Sequence, residues 1–427
     1  MNPQLRRGAC PGLSAPMQTG DGLLARLMPI GTVPLAAFAE LCAAARTHGN
    51  GVVEITARGS IQVRGLSAAS ATDFAASVAA LGIAAQDGVP VVTNPLAGLD
   101  DDEILDAGAL AADLRRALAA QSAAARLAPK ISVAIDGGGA LALDGLAADV
   151  RLSAEASDSG VALRLGVGGD GASAAQVGVV APAQGVEAAT RLLDVIARRG
   201  RDARARDLLA TAGVAPFQAA LAIAAGSCGL PLRNGERKTR DAIGLHRLRD
   251  GSLARGLGLA FGYAEASALE LLAQAAGAAG ASGMRAAPGR ALMIIGIAHQ
   301  RAPAFAAAAE RLGFIVDAGD PRRQVVACAG APICASAHVA ARAIAPVIAA
   351  SAAPFLGGAF TIHISGCAKA CAHPGPAALT AFGTPEGCAL VANGSTRDIP
   401  HSVVPGRELP EAIARYARER MKEAAHV

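Results

Sequence analysis

Four cysteines in the second half of the chain have the spacing of a shared metal site. Cys328 and Cys334 enclose five residues, A-G-A-P-I, Cys367 and Cys371 enclose three, A-K-A, and thirty-two residues separate the pairs. Four thiolates are what an iron-sulfur cube requires, one for each iron. Gly330 and Pro332 let the backbone loop closely around inorganic sulfide, and Gly366 lets a strand end in a sharp turn just before Cys367. Backbone N–H groups in such loops can hydrogen-bond to cluster sulfurs and tune the potential. The competing readings are structural zinc, a disulfide pair, and four buried cysteines serving as small hydrophobes. Cys10, Cys42, Cys228 and Cys388 lack any such spacing and read as buried apolar thiols.

The elements that position these cysteines repeat along the chain, and repeats are the first thing to look for. From Gly22 the chain reads G-L-L-A-R-L-M-P-I-G, then a helical pattern through Phe38, Leu41 and Ala45, then a β-rich run ending at Leu66. A second copy runs from Gly258 through a helix with Leu269 and Leu272 to a strand ending at Ile297, and the step from Gly31 to Gly262 equals the step from Leu66 to Ile297. A different module follows each copy. In the first, strands with alternating faces are expected at Lys130–Asp136 and Val161–Val167 and a helix at Val186–Arg199. In the second, a strand at Phe360–Ser365 with alternating faces, a hairpin at Gly383–Gly387 and a helix at Glu411–Met421 are expected. Aligning the modules sets Lys130 against Ile362, one position more than the step between the first pair of units. The organisation is therefore A-B-A′-B′, with units at 1–80, 90–230, 240–305 and 310–427. A helix over Asp101–Leu127, capped by Asp101 or Asp102, reads as a packing element, and Arg233–Arg240 as a solvated linker or anion-contacting loop.

Composition narrows the class. At 427 residues and 52% hydrophobic the chain can bury several cores without disulfide staples. No run of about eighteen strongly apolar residues suggests a membrane span. Arg6 and Arg7 lead into Cys10, Pro11 and Gly12 and not into an apolar core, so no secretory signal is expected and the cytoplasm is the expected location. A net charge of +4, no Trp and two Tyr give nucleic acid little to bind.

The C-x5-C…C-x3-C pattern in a duplicated chain resembles the nitrite and sulfite reductase superfamily. Three stretches resemble, within it, the precorrin-3B synthase family of aerobic cobalamin biosynthesis: R-R-G-A-C-P-G-L from Arg6, D-G-L-L-A-R-L from Asp21 and H-I-S-G-C-A-K-A-C-A-H-P from His363. Assimilatory reductases normally read C-P-N-G-C where this chain has Ala368, Lys369 and Ala370 between its cysteines. The resemblance covers nearly the whole chain. It implies an α+β fold of two ferredoxin-like half-domains and two α/β lobes about a pseudo-twofold axis, with a [4Fe-4S] cluster on Cys328, Cys334, Cys367 and Cys371 in the second lobe. It also implies an oxygen-dependent hydroxylation of precorrin-3A with lactone formation. Electrons would come from NADH through a reductase or ferredoxin, since no G-x-G-x-x-G follows a strand. A cluster alone does not readily oxygenate carbon, so a mononuclear non-haem iron is implied as well. His363 and His373 are the imidazoles nearest the second cysteine pair, each equally suited to a structural role.

For the anionic tetrapyrrole, Arg26 matches the first arginine of the superfamily's R-x-R, Arg58 the arginine of its T-T-R-Q-like segment, and Lys130 the first lysine of its P-R-K-F-K. Met28 and Ser132 stand where a second arginine and a second lysine would be. Losing two cations argues against sulfite reduction, whereas those remaining suit tetrapyrrole carboxylates. The strand face bearing Ser60, Gln62 and Arg64 is polar throughout and continues the line of Arg58. No catalytic residue carries over. The alternatives are a short sirohaem-dependent sulfite or nitrite reductase, in which Cys371 would also bridge to sirohaem iron, and a non-catalytic iron-sulfur sensor or scaffold.

Overall fold

The computed structural model describes residues 11–122, 125–158, 160–225, 237, 239–356 and 361–424. Cys10, Cys228, residues 6–10 of the Arg6 motif and Phe360 lie outside the described residues, as does most of Arg233–Arg240.

Four five-stranded sheets alternate along the chain. The first unit contains β1 (Met17–Thr19), β2 (Gly22–Leu27), β3 (Val33–Pro34), α1 (Leu35–His48), β4 (Val52–Ile55), β5 (Ile61–Leu66) and α2 (Ala68–Ala80). The second contains β6 (Val91–Thr93), α3 (Ala107–Ala120), β7 (Val133–Asp136), β8 (Ala148–Ser157), β9 (Gly160–Gly169), β10 (Ala175–Val180), α4 (Gly185–Ala197), α5 (Ala205–Ala212) and α6 (Ala215–Ala225). The third contains β11 (Gly244–Arg247), β12 (Leu253–Gly258), β13 (Tyr263–Glu265), α7 (Ala266–Ala278), β14 (Gly283–Ala287), β15 (Ala291–Ile297) and α8 (Ala302–Arg311). The fourth contains β16 (Val325–Ala327), α9 (Ala341–Ala352), β17 (Ile362–Ser365), β18 (Ala377–Thr384), β19 (Gly387–Gly394), β20 (Ser402–Val404) and α10 (Leu409–Ala424).

The duplication is visible residue by residue. Phe38, Leu41, Cys42 and Ala45 form the buried stripe of α1, and Leu269, Leu272, Ala273 and Ala276 form that of α7, each displaced by the same step that carries Gly31 to Gly262. Spacing of i, i+3, i+4 and i+7 puts each set on one helix face. Both stripes enter a single apolar core with Val53, Val63, Leu257 and Ile294, so the two ferredoxin-like units fold around each other. They also exchange strands. β13 pairs with β4 at Ala264↔Val53, while β3 pairs with β14 at Val33↔Met284, and the same step relates the two contacts. Neither sheet is complete without the other half, a contact that adjacency in sequence could not reveal.

The two lobes share a topology. β6, β7 and β8 run parallel and β9 and β10 antiparallel, and β16 through β20 repeat this order. Every residue of β7 and of β17 is buried. A strand covered on both faces needs no alternation, so the alternating faces expected for Phe360–Ser365 and Lys130–Asp136 are corrected. Lys130 lies before β7 and is exposed; Val133, paired with Val91 and Val150, occupies the position that Ile362 holds between Val325 and Leu379. The alignment of Lys130 with Ile362 is thus three residues out of register. The helix expected from Asp101 begins at Ala107, because Asp106 caps it by accepting from Ala109 N–H at 3.0 Å. Asp100 instead accepts from Ala140 N–H at 2.7 Å. Of the basic linker, Arg237 is no solvated residue: its Nη1 meets Asp136 Oδ1 at 2.8 Å and its Nε donates to Gly139 O at 2.8 Å. No helix among the described residues is long and apolar enough to cross a membrane.

Candidate active site

The two cysteine loops fold against each other beside β17. Cys328 follows β16, and its Sγ accepts from Gly366 N–H at 3.1 Å, so the residue before one cysteine bonds the sulfur of another. The Ser365 hydroxyl donates to Cys367 O at 2.7 Å, holding the start of the second loop. His338 N–H donates to Gly366 O at 2.7 Å, and Lys369 Nζ donates to Ser336 Oγ at 2.8 Å, tying the C-x3-C loop to the C-x5-C loop. The turns need their small residues. Gly330 sits at φ +69°, and a Cβ on Gly366 would lie 2.6 Å from Ala337 Cβ. Ala370, one residue before Cys371, holds φ +53° without being glycine.

The four thiols act on one another. Burial raises the Cys371 thiol first, Cys328 next, with Cys367 and Cys334 adding to it and the Arg64 guanidinium opposing. Cys371 is nonetheless the most exposed of the four. Burial likewise raises Cys328, against the Gly366 N–H donor. Sulfurs raised by their neighbours are sulfurs that would gain from a shared cation. No three ligating groups among the described residues converge on a single ion. A cube spreads its four ligands over four irons and so surrounds a volume, not a point. The donor set, the Gly366 N–H aimed at Cys328 and the glycine-lined loops fit such a cluster. Cys42 and Cys388 are buried in apolar cores, and burial lifts both thiols, as expected of hydrophobic cysteines.

A polar sheet face lies against these loops. Across four strands, Arg26 of β2 stands opposite Gln62 of β5, Gln62 opposite Glu54 of β4, and Glu54 opposite Tyr263 of the exchanged β13. With its amide turned so that oxygen meets donors, Gln62 accepts from Arg26 Nε and Nη2 at 2.9 and 2.5 Å and donates to Glu54 Oε2 at 3.2 Å. Arg342 of α9, in the lobe of the cysteine loops, donates to Glu54 Oε1 at 3.1 Å and stacks over the Tyr263 ring, 3.9 Å from its centroid. Arg64, also on this face, chelates Asp21 and lies 3.7 Å from Glu54. The equivalent row of the second sheet carries Gly256, Met293 and Arg285, and it is sealed by Leu96 and Leu141 of the first lobe. Of the two rows, the first is the one beside the thiols, its Arg64 acting on Cys371.

The three cations matched by motif sit in different surroundings. Arg26 lies half-buried in the polar row. Arg58 is exposed in the β4–β5 turn, off the line of Ser60, Gln62 and Arg64, because Gly59 takes φ +77° and breaks the alternation. Its Nη1 donates to Ser132 Oγ at 3.0 Å, joining the sheet to the first lobe two residues from the exposed Lys130. Ser132 thus serves as a partner for Arg58. Two further cations were not legible. Arg290, half-buried in the β14–β15 turn, donates to Ala372 O at 3.0 Å, beside Cys371, and burial depresses its guanidinium against the pull of Glu54. It also lines a cavity of about 440 Å³ with Phe261, Arg322 and Arg323. The repeat could have found it, since the step from Gly31 to Gly262 carries Gly59 onto Arg290, next to the counterpart of Arg58. Nothing in the sequence singles out Arg342.

His363 and His373 do meet, ring centroids 5.6 Å apart in an edge-on arrangement. His363 is fully buried and neither ring nitrogen has a hydrogen-bond partner, whereas His373 Nε2 contacts Pro376 O at 3.0 Å. Burial, then His373, then Arg290 push His363 down to about 3. No carboxylate is among the charges acting on it. His363 thus has no carboxylate beside it to complete a two-histidine, one-carboxylate site.

Residues 15–81 match the nitrite/sulfite reductase ferredoxin-like half domain. A precorrin-3B synthase from Sinorhizobium sp is 39% identical over 415 residues, covering 97% of this chain and 89% of its own. The NirA protein of Mycobacterium tuberculosis has the same fold, with a TM-score of 0.76 at 21% identity over 93% of this chain and 80% of that one.

Proposed function

Because the chain belongs to the precorrin-3B synthase family, we propose that it converts precorrin-3A to precorrin-3B, hydroxylating the ring and closing a lactone with O2 and electrons drawn from NADH. It is an oxidoreductase of the nitrite/sulfite reductase fold. The observation that carries the reading is a likeness to the Sinorhizobium protein that spans nearly all of both chains. The geometry supports it through the polar sheet face beside the thiols, its counterpart row around Met293 being covered by Leu96 and Leu141.

On this reading Cys328, Cys334, Cys367 and Cys371 hold a [4Fe-4S] cluster, which when bound supplies electrons one at a time. The Gly366 N–H stabilises the thiolate form of Cys328, and the Ser365 hydroxyl holds the Cys367 carbonyl. Arg26, Arg58 and Lys130 bind carboxylates of the tetrapyrrole, with Arg290 beside Cys371 as a further anchor. Glu54 holds the guanidinium of Arg342 and the Gln62 amide in place, so the face meets the substrate already arranged. A separate reductase or ferredoxin delivers electrons where Cys371 and Lys369 reach the surface.

The test is an anaerobic preparation analysed for iron, sulfide and bound tetrapyrrole, then supplied with precorrin-3A, O2 and reductant. Four irons per chain and formation of precorrin-3B are expected, and Cys334→Ser should abolish both the cluster absorbance and turnover. Sirohaem absorption with sulfite- or nitrite-dependent oxidation of a reduced dye would overturn the reading.

A further inference from the structure

The turn joining β1 to β2 belongs to the first half of the chain yet packs on the cysteine loop of the second. Gly20 O accepts from Ala335 N–H at 2.9 Å, and a Cβ added at Gly20 would collide with Cys334 Sγ. The next residue, Asp21, is fixed by Thr19 Oγ1 at 2.7 Å and chelated by Arg64, with Nε to Oδ2 at 2.8 Å and Nη2 to Oδ1 at 2.7 Å. Their side chains are only 2% and 10% exposed. Burial works against the charge of Arg64, but the bidentate contact with Asp21 and the nearby Glu54 keep it charged. Burial also works against the charge of Asp21, yet the Arg64 and Thr19 bonds keep its carboxyl below the usual range. Both groups are therefore charged at neutral pH, rigidly held, and set beside two of the four thiols.

We propose that this ion pair sets the reduction potential of the cluster, with Arg64 raising it and Asp21 lowering it. The inference rests on the assignment of the cluster to the four cysteines. Reduction adds one negative charge to the cluster, so a fixed cation nearby favours the reduced form and a fixed anion the oxidised form. The pair is bidentate and sheltered from water, which leaves both charges poorly screened. Asp21 also stops Arg64 from swinging toward the sulfurs, so the two charges act from fixed positions. The first half of the chain thereby tunes a centre whose ligands all come from the second.

The test is an EPR-monitored potentiometric titration of the holoprotein and of Arg64→Gln, Asp21→Asn and Arg64→Lys, with iron and sulfide measured for each. Arg64→Gln should lower the potential and Asp21→Asn raise it, each by on the order of tenfold in the reduction equilibrium, or ~59 mV for one electron. Arg64→Lys should stay nearer the parent than Arg64→Gln. Shifts of opposite sign are the signature, because simple loosening of the turn would move both variants the same way. Equal potentials, or shifts of one sign, in variants with a full iron complement overturn the proposal. If Arg64→Gln loses its iron, Asp21→Asn decides alone: an upward shift supports the proposal and an unchanged potential overturns it. Absence of iron from the parent protein would instead sink the cluster assignment itself.

Discussion

His363 makes the lobe of the cysteine loops sensitive to acid. Its ring is fully buried, without hydrogen bonds, and is held near a pKa of 3 by burial and by His373 and Arg290. In the unfolded chain the same group titrates near 6.5. Between those values the unfolded state binds a proton that the folded state refuses, so stability rises with pH and is lost as pH falls below about 6.5. The loss approaches ~1.4 kcal/mol for each unit of pH once the unfolded ring is protonated. At pH 5.0 it amounts to about 2 kcal/mol relative to pH 7.5. The perturbation is His363→Leu, which keeps a buried apolar volume and removes the titration. Urea unfolding of both proteins at pH 7.5 and 5.0 gives four stabilities. The double difference isolates His363, because the other titrating groups and the acid sensitivity of the cysteine loops occur in both proteins. The parent should lose about 2 kcal/mol more than the variant. An equal loss in both would refute the claim that the imidazole is buried in its neutral form.

Other perturbations probe the rest of the site. Gly366→Ala would bring a methyl group to 2.6 Å from Ala337 Cβ and 3.1 Å from Gly330 Cα; overpacking of this kind costs roughly 1–3 kcal/mol, and iron retained per chain should fall with it. Arg58→Ala should weaken binding of precorrin-3A by about tenfold, as expected for losing one charge-assisted contact, and equilibrium binding under anaerobic conditions would measure it. Asp106→Ala removes the acceptor for Ala109 N–H at the start of α3; it should cost about 1 kcal/mol of stability in thermal or denaturant unfolding and leave the absorbance of the cysteine site unchanged.

Local patterns were legible in the sequence. Apolar residues at helical spacing fixed the buried stripes of α1 and α7, and the constant step between them announced the duplication. The C-x5-C and C-x3-C intervals marked four thiols, and the structure makes those four neighbours in electrostatic terms. Such signals survive because they depend on spacing along one element or one loop.

The tertiary structure decided what distant segments do to each other. Whether a strand alternates depends on how many of its faces are covered, so β7 and β17, buried on both, carry no alternation to read. The exchange of β3 and β13 joins segments from opposite halves of the chain, and their short runs hold no pattern that names a partner. A charge likewise says nothing of its partner: Asp21 acquires meaning from Arg64, Arg290 from Ala372, and Ser132 from Arg58. The sequence by itself determined which residue types were available and with what local period. Only the fold, by bringing the first half's polar sheet against the second half's cysteine loops, decided which of two equivalent faces stayed polar and which was filled, because burial is a property of the assembled surfaces and not of either strand alone.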